Sequence, residues 1–140
     1  MLEHARRVRP SPLPANLEPV YVAASTLPQA GQGLFASRDL AEGELVCCYE
    51  GTVILCPEHI EASSSDYLAQ PEGTSWAIDA EFSEYRARYA NDPIDETRMN
   101  VNLVYRPECY SNETLWFRAN QYIPQDSEIF VSYGPEYWSQ

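Results

Sequence analysis

The residues of this chain that could do chemistry do not have the pattern of a metal site. The cysteines and histidines are Cys47, Cys48, Cys56, Cys109, His4 and His59. The cysteines form no CxxC pair, and neither histidine stands at metal-ligand spacing from another candidate ligand. Because a structural zinc ion needs four such ligands at short, regular spacing, we expect no bound metal.

Four short strings of glycine, tyrosine, arginine and asparagine are better candidates for a site. In chain order they are Gly31-Gln32-Gly33, Tyr49-Glu50-Gly51, Arg88-Tyr89-Ala90-Asn91, and the run from Asp126 to Tyr133-Gly134. Glycine lets a backbone approach a neighbouring group closely because it has no Cβ. Each string also has an ordinary structural explanation, namely a glycine turn, a core tyrosine or a buried polar support. Only the four together favour a functional site.

In this order the strings resemble those of the SET-domain protein lysine methyltransferases, over about Val20 to Trp138. The resemblance implies a mainly β protein with the SET-domain fold, in which small curved β-sheets surround a C-terminal pseudoknot and there is little helix. The Tyr133 segment would pass beneath the loop near Asn91. Such threading is rare, and it would bring distant strings to one site. The implied activity is methyl transfer from S-adenosyl-L-methionine to a lysine of a basic peptide, such as a histone tail.

The same resemblance assigns residues to roles. Tyr133 and Tyr49 are the catalytic candidates: the Tyr133 hydroxyl would orient the reacting groups, and the Tyr49 hydroxyl would limit how many methyl groups fit the lysine channel. The implied cofactor-binding residues are Gly31, Gln32, Gly33, Arg88, Tyr89, Asn91, Asp92, Tyr133 and Trp138. Trp138 would cover the adenine or simply cap the core. Methyl transfer of this kind depends mostly on positioning and requires neither a metal nor a nucleophilic side chain.

The chain departs from the family pattern after Asn91. The family usually continues with His-Ser, whereas this chain has Asp92-Pro93. Because proline restricts the backbone, the difference favours a loop reshaped around Asp92. The second asparagine of the family has two candidates, Asn100 and Asn102, of which Asn100 leaves the following strand uninterrupted. A catalytically silent SET-like module that binds basic or methylated peptides stays open as the alternative, as does an unrelated small β-barrel reader.

Short β-strands would have to position these strings. Eight β-rich runs are separated by turn residues: Val20–Ala24, Gly33–Ala36, Leu45–Tyr49, Thr52–Leu55, Ser75–Ile78, Val101–Tyr105, Thr114–Phe117 and Ile129–Tyr133. Pro57–Ala69 suits a short helix or an irregular connection. Gly43 and Gly51 are interpreted as hairpin turns between neighbouring strands. At least one of Cys47 and Cys48 is expected in a strand core.

Length and charge restrict the partners. The chain has 140 residues, which predicts one domain: residues 1–18, with three arginines, as a flexible arm, and residues 19–140 as the SET domain. A net charge of -12 argues against nucleic-acid binding beyond a weak contact from the arm, and it favours a basic partner. With no secretory segment and no membrane-length apolar run, we expect a soluble intracellular protein, nuclear or cytoplasmic, with a homodimer left open.

Overall fold

The computed structural model describes residues 14–70, 76–105 and 115–132, and this part of the chain is mainly β. Its strands are β1 (Val20–Ala24), β2 (Gln32–Ala36), β3 (Leu45–Tyr49), β4 (Thr52–Ile54), β5 (Leu68–Ala69), β6 (Ala77–Asp79), β7 (Val101–Tyr105), β8 (Leu115–Ala119) and β9 (Glu128–Ile129). Helix within these described ranges is confined to α1 (Pro57–Ala62) and to short 3-10 turns at Ala15–Leu17, Ala87–Tyr89 and Glu96–Arg98. The expectation of a mainly β protein with little helix is confirmed.

The strand predictions are close. The observed β1, β3 and β7 have the predicted bounds, and most of the others that can be compared differ by one or two residues. The last predicted strand is too long, because β9 ends at Ile129 and residues 130–132 lie outside it. The predicted ends at Ser75, Thr114 and Tyr133 lie outside the described residues. The sequence did not indicate β5, because a strand of two residues is too short to show an alternating pattern.

The strands form three antiparallel sheets of three strands each, in the orders β1-β2-β9, β3-β8-β7 and β4-β6-β5. The main core contains buried side chains from the first two sheets, including Leu34, Val46, Cys47, Phe117 and Ile129. A smaller core forms around Trp76, Ile78 and Leu115. Tyr49 packs against both cores. Both Cys47 and Cys48 are buried in β3, as expected for a strand core.

The hairpin interpretation of the two glycines is wrong. Gly51 connects β3 to β4, but these strands belong to different sheets. A Cβ on Gly51 would overlap the carbonyl oxygen of Asp79 and lie 2.8 Å from the Cα of Ala80. Gly43 likewise joins no hydrogen-bonded pair, and its amide donates to the carbonyl of Ala119. Both glycines therefore serve crossings between sheets, where the backbone either approaches another segment or adopts a positive φ.

The C-terminal segment Glu128–Val131 lies between three parts of the chain. β9 pairs with β2, through Leu34 with Ile129 and Phe35 with Glu128. Phe130 forms a parallel bridge to Asn91, and the amide of Val131 donates to the Asn91 carbonyl at 3.0 Å. On another side, the Asn100 side chain accepts from the amide of Phe130 at 2.8 Å and donates to the carbonyl of Glu128 at 2.9 Å. This enclosed segment is the described part of the expected pseudoknot.

The described end of the predicted arm packs on the domain. Residues 1–13 lie outside the described part of the chain, but Ala15 and Glu18 are both buried, with 7% and 5% of their surface exposed. The amide of Leu17 donates to the carbonyl of Pro14 at 2.8 Å, which closes the 3-10 turn. Residues 14–18 thus belong to the folded structure. Within the described residues, no helix has the length and hydrophobicity needed to cross a membrane.

Candidate functional site

A cavity of about 170 Å³ lies where the sheets meet. Its walls come from β3, β5, the Ala87–Tyr89 turn, β7, β8 and residues 131–132; the lining residues include Tyr49, Asp66, Tyr67, Arg88, Leu103, Phe117, Val131 and Ser132. Residues from three of the four strings or their flanks therefore meet at one place, although they are far apart in the sequence. A cavity lined by both apolar and polar side chains is a candidate ligand site.

Tyr49 is held on two sides. Its hydroxyl donates to the carbonyl of Tyr67 at 2.7 Å, and its ring contacts Phe117 with the ring centroids 6.1 Å apart. Because β3 pairs with β8 through Tyr49 and Leu115, the backbone is also in register at this point. The tyrosine that the sequence placed in the lysine channel therefore lines the cavity with a fixed hydroxyl.

Arg88 forms the opposite polar wall. Its guanidinium lies 5.2 Å from the ring centroid of Tyr67 and 4.5 Å from that of Tyr89, and Nη2 donates to the Tyr89 hydroxyl at 3.0 Å. Cation–π contacts of this kind favour the observed arrangement of Arg88 between the two rings. The buried Nε of Arg88 has no hydrogen-bond partner within the described residues. Arg88 therefore lies in the cavity of Tyr49, and the cofactor-side role that the resemblance implied for it stays a prediction.

The Gly31-Gln32-Gly33 string lies at a more open place, beside Asn91. Gly31 has φ of +72°, and a Cβ added there would meet no atom within 4 Å. The Asn91 side chain donates to the carbonyl of Gln32 at 2.8 Å, so it joins this string to the C-terminal segment. Open space beside a positive-φ glycine and an anchored asparagine suits a polar ligand such as the methionine part of S-adenosylmethionine. These residues therefore fit the expected cofactor.

Gly33 has a requirement that the sequence did not show. A Cβ on Gly33 would overlap the carboxylate of Glu128 and lie 3.2 Å from the Cα of Ser25. That carboxylate accepts from the Ser25 hydroxyl at 2.6 Å, from the Thr26 amide at 2.8 Å and from the Thr26 hydroxyl at 2.6 Å. In this structure the space beside Gly33 is thus taken by a buried carboxylate that joins the end of β1 to β9, whereas we expected Gly33 to make room for a ligand.

Asp92, where the chain departs from the family pattern, has a defined structural role. It is buried, with 7% of its surface exposed, and its Oδ1 accepts from the amide of Ile94 at 2.7 Å. Ile94 has φ of 68°, which is costly for a β-branched residue. The Asp92 carboxylate therefore supports an otherwise unfavourable backbone conformation, as expected for a loop reshaped around it.

Two residues that the sequence analysis assigned to the site cannot be placed, and one residue of the cavity was not predicted. Tyr133 and Trp138 lie outside the described residues. Tyr67 was not predicted, because it contributes its backbone carbonyl, and a carbonyl carries no side-chain signal. Asn100 contacts the C-terminal segment as described above, whereas the Asn102 side chain accepts from Asn120 at 3.1 Å. Contacts to that segment therefore come from Asn100, the candidate that the strand pattern favours.

Comparison with known proteins gives one family and a consistent set of structural neighbours. The model of the SET domain family matches residues 31–134. A polycomb repressive complex 2 chain, from a structure in an autoinhibited conformation bound to S-adenosylmethionine, is 28% identical with a TM-score of 0.67. The corresponding Chaetomium thermophilum complex gives 28% and 0.69, and an active complex in the stimulated state gives 27% and 0.68. Each match covers 84% of this chain but only 15% of the neighbour.

Proposed function

The chain belongs to the SET domain family, whose model matches residues 31–134, and we propose that it is an S-adenosylmethionine-dependent protein lysine N-methyltransferase that acts on basic peptides. The fold is that of its SET-domain neighbours, one of which is bound to S-adenosylmethionine. Because the chain spans 15% of those neighbours, their assembly and regulation are not transferred to it. The activity is proposed from the family and from the site.

The observation that carries the proposal is the position of Tyr49 in the cavity that also contains Ser132. Ser132 directly precedes Tyr133, the residue that resembles the family's catalytic tyrosine. The cavity therefore contains one of the two tyrosines that the family places at its lysine channel, Tyr49, and the residue that precedes the other in sequence. Gly31, Gln32 and Asn91 would hold the cofactor on the more open side.

Bound S-adenosylmethionine would supply an electrophilic methyl group on a positively charged sulfur. The chain's own residues would orient a lysine amine, keep it neutral and exclude water. The apolar wall of Leu103, Phe117 and Val131 disfavours a charged amine because it removes solvent. The positive charge of Arg88 also disfavours the charged form of the lysine amine, because like charges repel. The hydroxyls of Tyr49 and Tyr133 would then align the lone pair of the amine, and such alignment accounts for most of the expected catalysis.

The charge of the protein favours a basic substrate. Asp66 lines the cavity. Glu58 and Glu61 lie a few residues before it in the sequence, and both are exposed on α1. Together with a net charge of -12, these carboxylates would attract a lysine- and arginine-rich peptide at low ionic strength. A histone tail has this composition and is therefore the first probe to use.

The test is transfer of a labelled methyl group from S-adenosylmethionine to an array of lysine peptides, with products identified by mass spectrometry. The chain contains no lysine, since all of its basic side chains are arginine. Label on lysine must therefore come from the peptide and not from self-methylation. Transfer that depends on the cofactor and rises with peptide concentration supports the proposal. Peptide binding without any transfer would contradict it.

Tyr49→Phe is expected to change the product more than the rate. The substitution removes the hydroxyl that donates to the Tyr67 carbonyl and frees space in the cavity while keeping the ring contact with Phe117. We expect a larger share of higher methylation states, measured by mass spectrometry at equal conversion. Tyr21→Phe, which removes a hydroxyl bonded to Asp126, is the matched control and should leave the products unchanged. Equal product distributions for wild type and Tyr49→Phe would remove Tyr49 from the channel.

A second candidate function, the silent module that binds peptides, is favoured by one feature, the Asp92 that replaces the family's histidine. We expect wild type to bind S-adenosylmethionine and Asp92→His to bind it no more tightly, measured by calorimetric titration. Asp92→His should also lose about 1–2 kcal/mol of unfolding free energy because the Ile94 amide loses its acceptor. Asp92→Asn keeps an acceptor and is the control. No binding by wild type, restored by histidine, would establish the silent module instead.

A further inference from the structure

β3 carries Tyr49 and lies at the edge of its sheet as far as the described residues show. Within residues 14–70, 76–105 and 115–132, β3 pairs with another strand on one side only, in the order β3-β8-β7. The described structure supplies a partner on the other side: Oε2 of Glu18 accepts from the amide of Cys48 at 2.8 Å. A buried backbone amide without a partner is costly, so this single hydrogen bond matters for the edge. The partner comes from a segment 30 residues away along the chain.

Glu18 is held in place from both directions. The Glu18 carbonyl accepts from the amide of Val20 at 2.8 Å, and the 3-10 turn before it contains the buried Ala15. The Val20 carbonyl in turn accepts from Nη1 of Arg86 at 2.7 Å. The segment that presents the Glu18 carboxyl is therefore attached to the body of the domain on each side.

The supported amide lies one residue from Tyr49. The pairing of β3 with β8 shifts register between Leu45 and Cys47, so the strand is irregular before this point. After the shift, Cys48 and Tyr49 are aligned with Trp116 and Leu115 on one side, and Glu18 holds Cys48 on the other. The backbone that directs the Tyr49 side chain into the cavity is thus fixed from two sides.

We propose that Glu18 is a positioning residue for Tyr49: its carboxyl closes the open edge of β3 and so fixes the wall of the cavity. This inference deepens the proposed function and rests on it where product distributions are concerned. The position of Tyr49, however, is a property of the protein alone and can be measured without any substrate. Glu18 itself does not line the cavity.

The charge state of Glu18 controls the strength of this support. Oε1 of Glu18 is buried and has no hydrogen-bond partner within the described residues. Burial raises the pKa of Glu18 to about 7, against the opposing effects of the Cys48 hydrogen bond and the positive charge of Arg86. A charged oxygen without a donor is unfavourable in a buried site, whereas a neutral carboxyl is tolerated there.

Several other ionisable groups surround Glu18. Cys47 and Cys48 from β3, and Tyr85 and Arg86 before the Ala87–Tyr89 turn, interact with it, and Glu50 interacts with Cys48 and Tyr85. Burial is the main cause that raises the pKa of both thiols and of the Tyr85 hydroxyl above their ordinary values, so none of these three ionises near neutral pH.

The direction of the pH effect follows from the raised pKa. Glu18 favours the docked segment while it is neutral in both the folded and unfolded chain, below its ordinary pKa of 4.5. This contribution falls as the pH rises and is lost above about 7, where the folded carboxyl ionises. The segment that buries the Glu18 carboxyl at the edge of β3 should therefore be held most firmly below about pH 4.5, progressively less firmly as the pH rises, and least firmly above about 7.

The first measurement is nuclear magnetic resonance of the full chain without ligand, from about pH 5.5 to 8.5. In wild type the chemical shifts of the Cys48 and Tyr49 amides should change with pH, with a midpoint near 7. This change should be absent in Glu18→Gln. It should be the same as in wild type in Glu42→Gln, the control at an exposed residue. Glu18→Gln keeps an acceptor for the Cys48 amide, so it should fold. Amides that do not titrate in wild type, or that titrate equally in Glu18→Gln, would overturn the proposal.

The second measurement compares methylated products across the same pH range. In wild type the ratio of higher to lower methylation states should change with an inflection near pH 7, and in Glu18→Gln the inflection should disappear. Dividing the wild-type pH profile by the Glu18→Gln profile removes the pH dependence that comes from ionisation of the substrate lysine, because that dependence is common to both proteins. Absence of methyl transfer with the amide titration intact would contradict only the proposed function. Methyl transfer with the same pH profile in both proteins would contradict only the role of Glu18.

Discussion

Tyr133→Phe is expected to lower kcat for methyl transfer roughly tenfold or more while leaving the melting temperature nearly unchanged. The substitution removes a single hydroxyl, and Tyr133 follows in sequence directly after Ser132, which lines the cavity. If that hydroxyl orients the amine and the methyl group mainly in the transition state, its loss affects kcat more than KM. If the hydroxyl instead stabilised the bound substrate and the transition state equally, its loss would raise KM and leave kcat unchanged.

The measurement is steady-state methyl transfer at saturating S-adenosylmethionine with the peptide concentration varied. Tyr122→Phe is a suitable control, because Tyr122 is 57% exposed and its hydroxyl is bonded to Asp39, away from the cavity. We expect this control to keep the wild-type kcat. A Tyr133→Phe protein with the wild-type kcat would show that Tyr133 is structural, and the catalytic assignment based on the resemblance would then be abandoned.

Local sequence pattern predicted much of this fold and part of the site. Strands such as β1, β3 and β7 are short, rich in β-branched and aromatic residues, and bounded by turn residues, so their limits could be found from the sequence. Tyr49 and Arg88 were found through strings whose order resembles a family, and the structure places both at one cavity. Such residues are recognisable because their side chains carry the signal.

The features that could not be predicted depend on contacts between distant residues. The Glu18 carboxyl meets the Cys48 amide across 30 positions, and the need for glycine at position 33 comes from the carboxylate of Glu128. In each pair, the sequence around one residue gives no sign of the residue that it contacts. Turn chemistry was misleading at Gly51 for the same reason, since a glycine at a hairpin and a glycine at a crossing between sheets have similar neighbours in sequence.

Gly51→Ala is expected to be the most destabilising of these substitutions, at about 3 kcal/mol or more of unfolding free energy. The new Cβ would overlap the Asp79 carbonyl and lie 2.8 Å from the Cα of Ala80. These are backbone atoms, and β6 pairs with β4 through Asp79 and Thr52, so neither side can move without disturbing the sheet. Gly43→Ala is the matched control: Gly43 has φ of +87° but open space around it, so only conformational strain of about 1 kcal/mol is expected.

The same substitution should also affect the cavity, which separates a local clash from a general loss of stability. The amide of Ala80 donates to the carbonyl of Tyr67 at 3.1 Å, and that carbonyl accepts the Tyr49 hydroxyl at 2.7 Å. Displacing Ala80 therefore moves the acceptor that orients Tyr49. In denaturant unfolding we expect Gly51→Ala to lose far more than Gly43→Ala, and in methyl transfer at low temperature, where both remain folded, only Gly51→Ala should change the methylation products. If both glycine variants lose equal stability, the close approach at Gly51 is relieved by local movement. The space beside Gly51 would then not be what requires glycine in the Tyr-x-Gly string.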